Sequence, residues 1–168
     1  MGSSTSFVSS SGGNPNKISE FKDFTEYICS DKVLIENVIL VKFPLNKNND
    51  KWWMKTLSFG LSNQLWHWMI VLSLSDGKYI GVTYSGDIMI YSGNTKEEAV
   101  RVISKFYHYE GDYCKPIKAS IKKSYNSYKD RLKGIKRKYN VLNGNCKDFC
   151  RDEILFLTDH KFHFWPGE

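Results

Sequence analysis

The longest apolar runs of the chain lie in its first half and are rich in Val and Ile, a composition typical of β-strands. They predict strands over Val33–Phe43 and Leu65–Leu74. The Ser75–Lys78 segment has the composition of a hairpin turn and predicts an antiparallel return through Tyr79–Tyr84. A further short strand, Ile88–Tyr91, follows. We therefore expect an antiparallel sheet built mainly from the first hundred residues.

Apolar residues at intervals of three or four predict four helices. The first runs from about Asn16 to Cys29, and the second begins with Thr95 and Glu98 spaced as a capping box. The third runs from Ile117 to Tyr139, and the fourth follows Cys146. Together with the strands, these helices predict an α+β fold in which an antiparallel sheet packs against helices.

The rest of the chain divides into a leader and one domain. Residues 1–17 are rich in Ser, Gly and Asn, so we expect a disordered leader followed by a single domain over residues 18–168. Gly2, with Ser6 at the favoured position, fits the N-myristoylation pattern, although a flexible or cloning-derived leader meets the same pattern easily. The aromatic residues between 52 and 61 show no clear period. They predict either a strand or an exposed aromatic lip, with core packing the commoner use of such side chains.

Charge and cysteine usage narrow the function classes. The net charge is +6 and the pI is about 9.0, which favours an anionic partner. No apolar run reaches the ~18–20 residues that a membrane-spanning helix needs. Four cysteines without a hydrophobic signal segment predict free thiols in a reducing, cytoplasmic compartment. The cysteine spacing does not form a zinc motif, and glycine loops for phosphate are missing, so we expect no metal and no cofactor.

The positive charge is concentrated on the third predicted helix. Its basic residues are Lys118, Lys122, Lys123, Lys129, Arg131, Lys133, Lys136, Arg137 and Lys138. This basic 117–138 segment predicts contact with an anionic membrane surface, or a solvated face that keeps the domain soluble. No recognisable nucleic-acid-binding motif accompanies the charge, so nucleic acid is not the expected partner.

Cys146 is the first candidate for chemistry. It follows a turn made of Asn143, Gly144 and Asn145 and opens the last helix. The unpaired N–H groups of a first helical turn lower the pKa of a thiol placed there and favour the thiolate nucleophile. Plain packing of the cysteine is the alternative.

A thiol nucleophile needs a base, and His67 is the histidine that the pattern favours. It lies within the most apolar strand, between two tryptophans, on the face that Met69 and Val71 share. A histidine in this setting is more often a satisfied core residue than a catalytic one. The order of a histidine strand, a hairpin, helices and then an Asn–Cys helix start favours the catalytic interpretation.

Two motifs carry a family resemblance. The first is His67 followed by a hydrophobic strand and the Asp76–Gly77 turn, and the second is Tyr139–Phe149 with its Asn145–Cys146 pair. In this order they resemble the lecithin:retinol acyltransferase-like branch of the NlpC/P60 superfamily, over roughly Leu61 to Phe156. The resemblance implies a circularly permuted papain-like fold, with the histidine strand before the cysteine helix.

By that resemblance, Cys146 is the nucleophile and His67 is its base. The third polar residue that orients the imidazole comes from the next strand, and counting from the hairpin turn places Thr83 opposite His67, with Tyr84 and Ser85 as register neighbours. The family usually has a histidine or another strong polar group at this position.

The implied function is that of a cysteine-dependent acyltransferase or hydrolase with a thioester intermediate, acting on a lipid or amide substrate at a membrane surface. Two alternatives stay open. One is a cysteine peptidase or isopeptidase of the same fold, and the other is a non-catalytic membrane- or nucleic-acid-binding module.

Overall fold

A six-stranded sheet and three helices make up the part of the chain that the structure, a computed structural model, describes: residues 17–44, 66–104, 113–118, 123–140 and 145–159. The strands are β1 (Phe21–Asp23), β2 (Ile35–Pro44), β3 (Trp66–Leu74), β4 (Tyr79–Tyr84), β5 (Ile88–Gly93) and β6 (Tyr113–Lys118). The helices are α1 (Lys96–Ser104), α2 (Tyr125–Gly134) and α3 (Cys146–Thr158). Gly2, the leader before Lys17 and the aromatic segment 52–61 lie outside the described residues.

The sheet order is β1-β5-β4-β3-β2-β6. All neighbouring strands pair antiparallel except β1, which lies parallel to β5. The predicted α+β class is therefore confirmed. The four predicted strands correspond to β2, β3, β4 and β5, and the predicted hairpin turn is closed by a hydrogen bond from the Leu74 N–H to the Lys78 carbonyl (2.9 Å).

Two predicted helices are corrected. The segment from Asn16 to Cys29 is not helical where it is described: Phe21–Asp23 is β1, and the N–H groups of Ile88 and Phe24 bond across this pair to Glu20 and Ile90. An unpaired strand edge leaves backbone groups without partners, and the exposed edge of β5 supplies partners for this short segment. Local apolar spacing over a few residues does not outweigh that pairing.

The helix expected over Ile117–Tyr139 is confirmed only in its middle, as α2. Its predicted start falls in β6, which pairs with β2 along Val38↔Ile117 and Ile39↔Pro116. Proline is tolerated there because β6 is an edge strand and one of its sides needs no donor. After Gly134 the chain is extended, and Lys138 forms an antiparallel bridge with Ile18.

The two faces of the sheet carry separate cores because strand residues alternate. On one face Trp68, Ile70 and Leu72 of β3 pack with α2 and α3. On the other face Met69 and Val71 pack with α1. With both faces covered, β3 reads as one continuous apolar run, which is why its sequence predicts a strand so strongly.

Helix α1 lies very close to β4. A Cβ atom added at Gly81 would lie 2.4 Å from the Ala99 carbonyl oxygen, so this contact requires glycine. The N-terminus of α1 carries the predicted cap, since the Glu98 N–H donates to Thr95 Oγ1 (3.1 Å). The Glu98 carboxylate accepts from the Asn94 N–H (2.7 Å), one residue before the expected donor. This helix closes the face of the sheet on which Met69 lies.

Candidate active site

Cys146 is the first residue of α3, as the sequence predicts, and a full set of cap hydrogen bonds fixes this helix start. The Asn145 side chain accepts from the N–H groups of Lys147 (2.9 Å) and Asp148 (3.2 Å). In return, Asp148 Oδ2 accepts from the Asn145 N–H (3.4 Å). This reciprocal capping box holds the backbone on both sides of the cysteine. The sequence analysis missed it, although the Asn-x-x-Asp spacing was a readable signal.

The Cys146 thiol points at strand β3. Its Sγ accepts a hydrogen bond from the Trp68 N–H at 3.4 Å, and its side chain is 6% exposed. The donor belongs to the peptide unit that joins His67 to Trp68. The ladder between β3 and β4 ends at the Met69↔Thr83 pair, so this contact lies one residue beyond the part of β3 that pairs with β4, where β3 still pairs with β2. The structure therefore brings the cysteine against the main chain beside the predicted base.

His67 and Thr83 are in direct contact. His67 Nε2 lies 2.6 Å from Thr83 Oγ1, and both side chains are buried. The predicted register is corrected, because Thr83 pairs with Met69 rather than with His67. The two residues meet diagonally on one face of the sheet, where a neighbour two positions along the strand is within reach of a long side chain.

The Cys146 thiol and the His67 ring belong to different cores of the protein. Cys146 packs in the core that α2 and α3 form. His67 lies on the same face of β3 as Met69 and Val71, which pack in the core under α1. The histidine ring is held from β4 by Thr83, and the thiol comes from the N-terminus of α3. The thiol and the imidazole thus approach from opposite faces of the sheet, on either side of the peptide unit that joins His67 to Trp68.

Burial controls the protonation of both groups. It raises the pKa of the Cys146 thiol to about 11, because loss of water around the thiolate outweighs the N–H donors of Trp68 and Lys147. The N–H groups at the helix start lower this pKa as predicted, but burial raises it by more, so the net shift is opposite to the expected one. Burial also lowers the pKa of His67 to about 4. At neutral pH the resting site holds a neutral thiol and a neutral imidazole.

The remaining cysteines have structural surroundings. Cys150 lies one helical turn after Cys146, is completely buried, and has a pKa raised well above its usual value by burial. Cys29 donates to the Asn126 side-chain oxygen (3.1 Å). These two cysteines and Cys146 are free thiols, while the side chain of Cys114 lies outside the description. Across the described ranges, no three His, Cys, Asp or Glu side chains group as metal ligands.

Ion pairs engage much of the basic 117–138 segment. Lys129 pairs with Asp23, Lys133 with Asp130, Arg131 with Glu153 and Arg137 with Asp152. Lys136 and Lys138 are exposed on the chain that follows α2. The surface charge that this segment offers to a partner is therefore smaller than the sequence suggests.

Comparisons with protein-family models, with curated proteins and with solved structures find no match to this chain. Among the helices that the structure describes, none combines the length and the apolar character needed to cross a membrane.

Proposed function

We propose that this protein is a cysteine-dependent acyltransferase or hydrolase in which Cys146 forms a thioester with the acyl group of a lipid or amide substrate. The observation that carries the proposal is the contact between the Cys146 thiol and the Trp68 N–H, one residue from a histidine that is itself held by a hydroxyl group. A nucleophile, a base and a group that orients the base are the parts that covalent acyl transfer requires. The lecithin:retinol acyltransferase-like resemblance supports the same roles.

The tautomer of His67 decides how it can act. When the ring proton resides on Nε2, that nitrogen donates to Thr83 Oγ1 and Nδ1 becomes the basic nitrogen. Because its pKa is about 4, the imidazole is neutral and able to accept a proton throughout the physiological range. Thr83 thus acts as a positioning residue, which fixes the direction of the ring.

The reaction proceeds by proton transfer together with attack. As the Cys146 sulfur bonds to the acyl carbonyl carbon, its proton passes to His67. The tetrahedral intermediate then collapses, and the imidazolium gives that proton to the departing alcohol or amine. Water or an acceptor amine then attacks the thioester and loses a proton to His67, and as the C–S bond breaks, His67 returns that proton to the departing Cys146 sulfur. The pKa of about 11 for the thiol means that a thiolate is not stored in the resting enzyme but forms when substrate enters.

We also propose that the substrate is met at an anionic membrane surface. Lys138 bridges to Ile18, which is 53% exposed, and the exposed Lys136 lies two residues earlier in the same extended segment. A basic pair next to an exposed apolar side chain suits the headgroup region of a bilayer. This surface lies next to the end of the leader that carries Gly2, and one acyl chain binds membranes stably only with a basic companion.

A non-catalytic binding module is the second candidate function. It is favoured by the burial of Cys146 and His67, which are 6% and 5% exposed. A thiol and an imidazole that serve only to pack the core would also be uncharged, as both groups are in the resting site. Thioester trapping with candidate phospholipids against candidate peptides, read by mass spectrometry, separates the two functions and also separates lipid from peptide substrates. A peptide adduct on Cys146 would favour the isopeptidase alternative.

A further inference from the structure

The first described residues of the chain, 17–23, form an N-terminal strap between strand β5 and the segment 135–140. Within it, Ser19 is polar but only 1% exposed. The Ser19 N–H donates to the Arg137 carbonyl (2.7 Å), and Ser19 Oγ accepts from the Arg137 N–H (3.0 Å). The same hydroxyl donates to the Ile135 carbonyl (3.4 Å). A single buried serine therefore satisfies three backbone groups of an otherwise irregular segment.

The strap is anchored on its other side by Asp87, in the turn between β4 and β5. Asp87 Oδ1 accepts from the Glu20 N–H (3.0 Å), and its carboxylate pairs with Lys22 (2.6 Å) and Lys17 (3.4 Å). The parallel pairing of β1 with β5 continues this attachment. The strap is thus fixed to the sheet, and Ser19 transmits that position to residues 135–137.

The segment 135–140 in turn contacts both elements that build the site. The Tyr139 ring packs on Tyr84 with centroids 5.6 Å apart, and Tyr84 follows Thr83 on β4. The Arg137 guanidinium lies 6.0 Å from the centre of the Phe149 ring, on the first turns of α3, and pairs with Asp152 on the same helix. A shift of this segment would therefore be felt by the helix that carries the nucleophile and by the strand that carries Thr83.

We propose that Ser19 is a positioning residue, through which the N-terminal strap holds the Cys146 helix start against strand β3. An effect of Ser19 on catalysis rests on the proposed function. Its effect on the position of the thiol does not, because that position can be measured without any substrate.

The test compares Ser19→Ala with a matched variant, Val100→Ala, in the full-length chain. Val100 is 3% exposed and packs on the other face of the sheet with Met69 and Val71, so its loss lowers global stability without touching the strap. Two quantities are measured for each: hydrogen exchange of residues 135–140, and the rate of iodoacetamide alkylation at Cys146 resolved by peptide mass spectrometry. Denaturant unfolding gives the stability of both variants.

We expect Ser19→Ala to increase exchange at 135–140 and Cys146 alkylation by about fivefold or more, because local opening exposes the helix start. The pH of half-maximal alkylation should also move down, since the loosened thiol gains water. Val100→Ala at similar stability should change neither. Asp87→Asn, which keeps an acceptor for the Glu20 N–H but removes the charge that holds Lys17 and Lys22, should act in the same direction, more weakly.

Equal effects of Ser19→Ala and Val100→Ala, or no effect of either strap variant, would overturn the inference. If the wild-type protein forms no thioester, the proposed function is contradicted. The comparison of hydrogen exchange and alkylation between the variants still tests the inference in that case. If Ser19→Ala does not fold, Asp87→Asn decides the outcome by the same two measurements.

Discussion

The sulfur of Cys146 lies 3.4 Å from the backbone nitrogen of Trp68, and accepts its hydrogen bond. This contact joins the start of α3 to the peptide unit of β3 that links His67 to Trp68. Because the donor is a backbone N–H, any residue other than proline at position 68 can supply it. The contact also compensates part of the cost of forming a thiolate in a buried site.

The first prediction concerns the pH dependence of thiol reactivity. Burial raises the pKa of Cys146 to about 11. At pH values below this pKa, the thiolate fraction therefore increases tenfold for each unit by which the pH rises. We expect the alkylation rate at Cys146, followed by peptide mass spectrometry in the folded protein, to rise continuously from pH 6 to pH 10. A rate that stays level between pH 5 and pH 8 would mean a stored thiolate–imidazolium pair and would contradict the neutral resting site.

The strands and the cysteine helix could be predicted from the sequence because their signals are local. The residues from His67 to Leu72 are buried on both faces of the sheet, and an Asn–Gly–Asn turn sequence directly precedes Cys146. By contrast, β1 and β6 form because the edges of β5 and β2 need partners, which depends on residues far apart in the chain. In short segments, the same spacing of apolar residues occurs in edge strands and in helices. For the segments of β1 and β6, this spacing led to the prediction of helices.

The residues of the candidate site were proposed from the sequence, whereas the pKa shifts at Cys146 and His67 were not predicted. Asn145, Cys146, His67 and Thr83 were identified from motif order and from counting along a hairpin. The Trp68 donor was missed because it depends on where the β3–β4 ladder ends, at Met69↔Thr83. The thiol pKa was predicted in the wrong direction because depth of burial is a property of the packed core rather than of the helix start.

A second prediction concerns acid stability. The pKa of His67 is lowered from 6.5 to about 4 in the folded state, so between these values the unfolded chain binds a proton that the folded chain does not. The free energy of unfolding should therefore decrease as the pH falls from 6.5 to 4, by about 3 kcal/mol from this group. Denaturant titrations at each pH measure it, and His67→Gln should remove this part of the slope. Parallel pH profiles for the wild type and His67→Gln would show that His67 is not buried in its neutral form.

A third prediction tests the hydroxyl that orients the imidazole. Thr83→Val keeps the shape of the side chain but leaves a buried imidazole nitrogen without its partner, which should lower the free energy of unfolding by about 1–3 kcal/mol. Thioester formation should slow by roughly tenfold to a hundredfold because the ring loses its fixed direction. Thr83→Ser restores the hydroxyl and should recover most of the rate. If Thr83→Ser is as slow as Thr83→Val, the hydroxyl has no positioning role.

A fourth prediction addresses the membrane surface. Charge reversal at two exposed lysines, Lys136→Glu with Lys138→Glu, should reduce sedimentation with phosphatidylserine-containing liposomes by about tenfold or more at low salt. The matched control is Lys32→Glu with Lys78→Glu, which changes the net charge equally near the β3–β4 turn. Equal losses in the two double variants would point to a general charge effect and remove the argument for this surface.

The most direct measurement is the mass of the acyl adduct that forms on the folded protein with an activated lipid ester, mapped to individual cysteines. The account predicts a hydroxylamine-labile adduct on Cys146 that is absent in Cys146→Ala. It also predicts adduct formation at least ~10²-fold slower in His67→Gln, since the base then no longer takes the thiol proton. Acylation shared evenly between Cys146 and Cys29, or unchanged by His67→Gln, would contradict the claim that Cys146 and His67 act together.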